Sequence, residues 1–295
     1  MHGTQAVLET LLHEPVDGVS VRGVGGGCIS EARRIVFRQG ERERVLFAKE
    51  NSPEFLDNFQ CESEGLLQLA AVDQIGVPQP LAVGLAEGRS WLLTEWIDES
   101  SRSNGFFDRF GRRLAAFHRA SDGIEIGWQR DNYLGAAKQL NSTVKSWAEF
   151  VAECRIGYQV RWASDQGYRD ARLQRDCRSI MNQMDQVLAG REDRTSLLHG
   201  DLWSGNYLCD TSGQPVIIDP AVYRGCRESE FGMLKLFGSC PIDFYDAYQD
   251  AWPMPEGWQQ RSRVYVLYHL LNHLNLFGSG YLEQCRSTAA DVLRA

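Results

Sequence analysis

The chain is predicted to be an α+β protein of two lobes, a small β-rich lobe with one main helix and a larger, mainly helical lobe. Two observations carry this. Short alternating runs broken by glycine turns fill the first hundred residues, whereas most of the remaining chain has the 3.6-residue period of amphipathic helices. A polar, turn-prone stretch between Asp98 and Asn104 marks the change, so the lobes are expected to span 1–98 and 99–295.

Taken in order, residues 19–24 form a β-branched run ending in Gly25-Gly26-Gly27. Residues 33–38 and 43–49 flank a Gln39-Gly40 turn and read as a hairpin. Val45, Phe47 and Lys49 alternate onto one face of its second strand, and a lysine closing an apolar face needs an acidic partner or an anion. Ser52-Pro53-Glu54 opens a helix running to about Ala71, with Ser52 as N-cap and proline at the first helical position. Residues 81–85 and 91–96 read as two further strands. Helices are then expected over 106–119, 144–166, 171–188, 242–251, 261–277 and 281–293, interrupted by a strand pair at 207–209 and 216–218.

Composition excludes several classes. With 295 residues and 43% hydrophobic content the chain can bury a substantial core, and no low-complexity stretch suggests disorder. A formal charge of −8 argues against nucleic acid as a partner; the densest basic stretch, Arg109, Arg112 and Arg113, has the spacing of a solvated helix face. No apolar run approaches the roughly 20 residues that span a bilayer, and the N-terminal stretch lacks a basic region followed by an apolar signal core. The eight cysteines include no CxxC pair, so reduced thiols in a cytoplasmic protein are expected, without a structural metal.

The densest chemistry lies between Leu198 and Pro220. His199-Gly200-Asp201 is followed by Asn206, a short hairpin, and an apolar run ending in Ile218-Asp219-Pro220. Phosphoryl transfer needs a carboxylate to orient the attacking hydroxyl and accept its proton, and oxygen ligands to hold Mg²⁺ against nucleotide phosphates. Asp201 is the candidate base, and Asn206 and Asp219 are the candidate metal ligands. A turn carboxylate alone is more often structural than catalytic; the joint spacing of the three is what favours catalysis.

The first lobe adds a nucleotide site. Gly26, Gly27 and Cys28 stand in a turn whose backbone N–H groups could approach phosphates, and Lys49 is the candidate for the α- and β-phosphates. Lys49 needs a carboxylate from the following helix. Glu62 falls on the stripe of Phe55, Phe59, Leu66 and Leu69, while Glu64 lies off it, so helix geometry does not choose between them cleanly. Glu95 and Ile97, at the end of the last strand before the lobe boundary, are candidates to offer backbone groups to adenine.

These residues resemble a known family. LLHGDLWSGN, VIIDPAVYRGCRESEFGMLKLFG and YHLLNHLNLFGSGY are similar to the fructosamine kinase (ketosamine-3-kinase) family, itself similar in fold to aminoglycoside and choline phosphotransferases. GGGCISEARR, LFAKE, ESEGLLQLAA, GWQRDNYLGAAKQLN and WAEFVAECRIGYQ extend the resemblance over nearly the whole chain. It implies a bilobal protein-kinase-like fold and ATP- and Mg²⁺-dependent phosphorylation of the 3-hydroxyl of a ketosamine, free or on a protein lysine, in deglycation. It also implies that Glu64 is the partner of Lys49, that Trp203 walls the sugar site and that His273 contacts sugar hydroxyls. A lone helical histidine is more often structural than functional, and His118 is read as structural.

Cys226 and Glu230 depart from the family pattern, which often has His and Asp there; the departure bears on substrate preference. Cys28, a thiol among phosphate-loop amides, is a candidate redox switch, including through a Cys28–Cys28 bridge between two chains, so a monomer or a homodimer is open. The competing readings are another small-molecule phosphotransferase, acting on an aminoglycoside or choline, and a non-catalytic pseudokinase. The joint presence of Lys49, Asp201, Asn206 and Asp219 weighs against the latter.

Overall fold

The computed structural model describes residues 2–25, 29–142, 144–238 and 240–294. In chain order they form α1 (His2–Leu12), β1 (Asp17–Val24), β2 (Glu31–Gln39), β3 (Arg42–Asn51), α2 (Leu56–Ala71), β4 (Pro80–Ala86), β5 (Arg89–Glu95) and α3 (Phe106–Ala120). Then come β6 (Asn132–Leu134), β7 (Ala137–Gln139), α4 (Trp147–Phe150), a π-helical turn (Val151–Gly157), α5 (Tyr158–Asp165), α6 (Ala171–Asn182) and α7 (Met184–Val187). The last third holds β8 (Ser196–Leu198), β9 (Tyr207–Cys209), β10 (Pro215–Ile217), β11 (Tyr223–Gly225), α8 (Glu230–Leu236), α9 (Ile242–Ala251), α10 (Trp258–Phe277) and α11 (Leu282–Arg294).

These elements form two compact units, residues 1–106 with 207–219, and residues 107–206 with 220–295. The first break falls at 106/107 rather than at the expected 98/99, and the β9–β10 hairpin belongs to the first unit. Long-range bonds explain this. Ser100 donates its N–H to the Cys209 carbonyl at 2.8 Å, Glu99 bridges Asp210, and Gly76 bridges Val216. The Arg102 guanidinium lies 4.7 Å from the Tyr207 ring centroid, and Tyr207 stacks on Phe106.

In the first unit the sheet runs β1-β2-β3-β5-β4, every neighbour antiparallel. Alternation sends Ile35, Phe37, Leu46, Ala48, Trp91 and Leu93 to one face, where they pack with Val7 and Leu8 of α1. Helix α1 has no counterpart among the expected elements. Lys49, paired across strands with Leu92, lies on the opposite face with α2. The entry to α2 differs in detail from expectation: Ser52 holds the cap position in extended conformation, but its side chain makes no capping bond, and a 3₁₀ turn from Pro53 leads into the helix.

The second unit is built around α10. Val264, Leu267, Leu270, Leu271 and Leu274 are buried in a core that α10 shares with α5, α8 and α11. The helix expected over 144–166 is continuous but carries the π turn. That expected over 171–188 breaks at Gln183, whose φ of −118° and ψ of 26° leave the helical region.

Close backbone approach makes one glycine essential. A Cβ on Gly111 of α3 would stand 2.2 Å from the Phe244 carbonyl oxygen of α9. Gly111→Ala is expected to destabilise the protein by about 1–3 kcal/mol, as overpacking does, measured by urea unfolding.

Candidate active site

In the first unit three charged side chains meet. Lys49 Nζ lies 2.8 Å from Glu62 Oε1 and 2.8 Å from Asp219 Oδ1. The expected partner, Glu64, is not the one that pairs. Glu62 is three residues from Phe59, four from Leu66 and seven from Leu69, all buried, so it projects from the face of α2 that meets the sheet. Glu64 is rotated about 200° further around the helix. The apolar stripe is therefore the correct guide to the partner of Lys49.

Burial disfavours the charge on Lys49, but Asp219 and Glu62 outweigh it and raise the pKa, so the ammonium persists. Burial, followed by the charge of Asp219, pushes the Glu62 carboxyl up despite Lys49. Asp219 adopts a left-handed φ of 58°, a conformation costly for a residue other than glycine and concentrated at functional sites. Lys49 takes only Oδ1 of Asp219, whose side chain is 40% exposed, and no described group takes Oδ2.

The remaining nucleotide candidates fall at strand ends. Glu95 closes β5 with its N–H donated to the Gln79 carbonyl at 2.8 Å, and Ile97 lies two residues on, half-buried. Gly26, Gly27 and Cys28 lie outside the described residues. The chain just after them is held by Asn51, whose Nδ2 donates to the Ile29 carbonyl and the Ser30 hydroxyl, both at 3.0 Å.

In the second unit the loop after β8 carries Asp201. Gly200 has a φ of +82°, and a Cβ there would lie 2.1 Å from the Ala221 carbonyl oxygen, so the His-Gly-Asp turn requires glycine. Asn206 Nδ2 donates to the Asp201 carbonyl at 2.8 Å and to its Oδ2 at 3.1 Å. With its nitrogen committed to Asp201, the amide offers its oxygen to a cation.

Glu230 is the residue whose role the sequence misplaces. Its carboxylate accepts the His199 N–H at 2.7 Å and the Gly200 N–H at 3.1 Å, gripping the turn from behind. The departure at 230 thus falls on the carboxylate that positions the His-Gly-Asp turn. Burial opposes its charge, but the nearby His118 and His199 hold its pKa below the usual range. His118 is also buried, with Nδ1 2.9 Å from the Tyr248 hydroxyl and Nε2 3.5 Å from Glu230, and burial keeps its ring neutral. The available signal was an acid at the head of the apolar run 231–234. Cys226 is a packed core thiol, pushed up to about 12 by burial.

Trp203 and His273, the two acceptor candidates, are linked by a ring that the sequence does not single out. Phe237 sits 6.0 Å from the Trp203 ring and 4.7 Å from His273, which also meets Tyr281 at 5.2 Å and Phe277 at 5.3 Å. His273 places Nδ1 2.7 Å from the His269 carbonyl, and burial holds its pKa below the ordinary value. A neutral ring donating from Nδ1 keeps an acceptor lone pair on Nε2. The neighbouring Asn272 accepts from Gln159 Nε2 of α5 at 3.1 Å, and Asn275 donates to Gln159 Oε1 at 2.7 Å.

The five-stranded sheet with its Lys–Glu pair and the loop bearing Asp201 and Asn206 define a kinase-like phosphotransferase that acts on a hydroxyl group. Comparisons with known proteins narrow this: the fructosamine kinase family model matches residues 1–295, and the chain belongs to that family. A probable ketoamine kinase of Synechocystis is 40% identical over 273 residues, 92% of this chain and 90% of that protein. The chloroplastic protein-ribulosamine 3-kinase of Arabidopsis thaliana is 38% identical over 273 residues, 92% and 82% of the two chains. A solved structure from Thermobifida fusca with a fructosamine-3-kinase assignment superposes with a TM-score of 0.85 at 32% identity, covering 100% of both chains. An aminoglycoside phosphotransferase, APH(4)-Ia, shares the fold at 13% identity and a TM-score of 0.63, over 98% of this chain and 95% of that one.

The two glutamates of α2 can be separated directly. Glu62→Gln should lower kcat/KM for ATP by about tenfold or more, with Glu64→Gln within about twofold of wild type, as expected if only the first orients the lysine. Glu230→Ala should cost about 2–4 kcal/mol in urea unfolding, because two buried N–H groups lose their acceptor.

Proposed function

We propose that the chain uses ATP and Mg²⁺ to phosphorylate the 3-hydroxyl of a ketosamine, a ribulosamine or fructosamine, free or on a protein lysine. Spontaneous elimination of the 3-phosphate would then free the amine, making the reaction a deglycation. The observation that carries the reading is the Asn206-clamped Asp201 followed by Trp203 in the ring series that ends on His273, in a chain whose relatives include protein-ribulosamine 3-kinases.

The donor set fits the metal. Asn206 and Asp219 supply the hard oxygens that Mg²⁺ prefers, and Asp219 keeps one carboxylate oxygen off Lys49. Bound there, Mg²⁺ would neutralise charge on the nucleotide phosphates. Asp201 orients the 3-hydroxyl and takes its proton as the oxygen attacks the γ-phosphorus. Lys49, oriented by Glu62, binds the α- and β-phosphates, and Gly26, Gly27 and Cys28 offer their backbone to the phosphates. The Glu95 carbonyl and the Ile97 N–H serve adenine, consistent with the Glu95 N–H being already committed to Gln79. Trp203 and Phe237 wall the sugar, and His273 Nε2 accepts from one of its hydroxyls.

Coupled ATP turnover on ribulosyl-lysine and fructosyl-lysine, beside kanamycin and choline, tests this. Turnover is expected on the ketosamines alone; turnover confined to kanamycin or choline overturns the substrate. Asp201→Asn should lose roughly a thousandfold or more in kcat with KM for ATP little changed, as for removal of a positioned base. Chelation with EDTA should abolish turnover and Mg²⁺ restore it.

A further inference from the structure

Of the 31 lysines and arginines only four are lysines, at 49, 138, 145 and 235. Lys49 is doubly ion-paired, Lys138 lies 3.2 Å from Asp131, and Lys145 is exposed to solvent. Lys235 differs from all three. It stands in the last turn of α8 on a pocket of about 420 Å³, lined also by Tyr245, Asp246 and Gln249 of α9 and by Trp258 and Gln259 of α10. That volume is within the roughly 300–1,000 Å³ of small-molecule sites.

The amine has no carboxylate within 4 Å among the described residues. Its Nζ meets the Ser262 hydroxyl at 2.7 Å and lies 4.4 Å from the Trp258 ring centroid. The charges that act on it are Arg263 and the buried Glu228. Burial and Arg263 outweigh Glu228 and hold the amine down to about 8. At pH 7 roughly a tenth of it is then the neutral nucleophile, against about one part in three thousand for an unperturbed lysine.

The walls suit a polyhydroxylated guest. Two aromatic side chains, Trp258 and Tyr245, supply apolar surface, while Gln249, Gln259 and Asp246 supply hydrogen-bonding groups. We propose that Lys235 is a carbonyl-reactive amine whose pocket admits an open-chain aldose, making it a site of self-glycation on this chain. The Nζ lone pair attacks the aldehyde carbon, a C–N bond forms, and the carbonyl oxygen leaves as water to give the imine. The imine nitrogen takes a proton as C2 loses one to give the enaminol, and C1 then takes a proton as the C2 hydroxyl loses its own, so the imine rearranges to a 1-amino-2-ketose without any oxidant. Asp246 is the carboxylate on the pocket available to carry that proton. The step requires only the amine and the sugar and is independent of the acceptor proposed for the catalytic loop.

The test incubates the full chain with D-ribose in the absence of ATP, reduces the adducts with borohydride, and maps occupancy at the four lysines by mass spectrometry. Early occupancy at Lys235 is expected to exceed that at the exposed Lys145 by about fivefold or more, in line with the neutral fraction. Equal or lower occupancy at Lys235 overturns the proposal. A second chain carrying Asp246→Asn and Gln259→Ala, both surface positions of the pocket, should lose about two-thirds of the Lys235 adduct while Lys145 is unchanged, if walls and amine act together. An unchanged Lys235 adduct overturns the role of the pocket.

Discussion

A buried carboxylate that takes two backbone N–H groups governs the geometry of the helical unit. Glu230 is almost fully enclosed, yet it stays charged because the amides of His199 and Gly200 and the neutral His118 beside it supply the dipoles that water would otherwise supply. The same contact fixes the turn that aims Asp201. His118 in turn engages Tyr248 of α9, and Tyr248 accepts from the buried Arg227, whose guanidinium is held by Glu192. Three helices and the Asp201 loop therefore share one polar network, and a half-satisfied network of this kind would be worse than an apolar core.

The first unit solves a related problem with opposite means. Lys49 is also withdrawn from solvent, but it is balanced by two acidic side chains rather than by backbone dipoles. One carboxylate comes from an ordinary position on α2. The other, Asp219, is held in a left-handed backbone conformation just after the β9–β10 hairpin. Such a conformation persists only where its surroundings over-determine it, and the lysine contact is one of those determinants.

Much of this was legible in the sequence where the signal was local. The spacing of Asp201, Asn206 and Asp219 lies within one short stretch, and the strands of the sheet announced themselves by alternation to within a few residues. The break between units was not legible, because it depends on bonds between residues 99–102 and 207–210, which are remote in sequence. Glu62 was legible in part: its place on the apolar stripe pointed to Lys49, and the error came from ranking the family pattern above helix geometry. Glu230 and Phe237 were hidden for another reason. Each looks like an ordinary member of an apolar helix until the loop it supports, or the ring it meets, is placed against it.

The indole of Trp203 lies so close over Gly205 that a Cβ at 205 would stand 2.5 Å from it. This binds the proposed acceptor wall and the Asp201 loop into one inheritance. Residue 205 cannot be enlarged without displacing the indole, next to the asparagine that clamps Asp201. If these rings line the acceptor site as proposed, the open route for drift toward a new acceptor passes through Tyr281, which meets His273 rather than that turn. Diversity in acceptor choice should accordingly accumulate there, while the loop stays as it is.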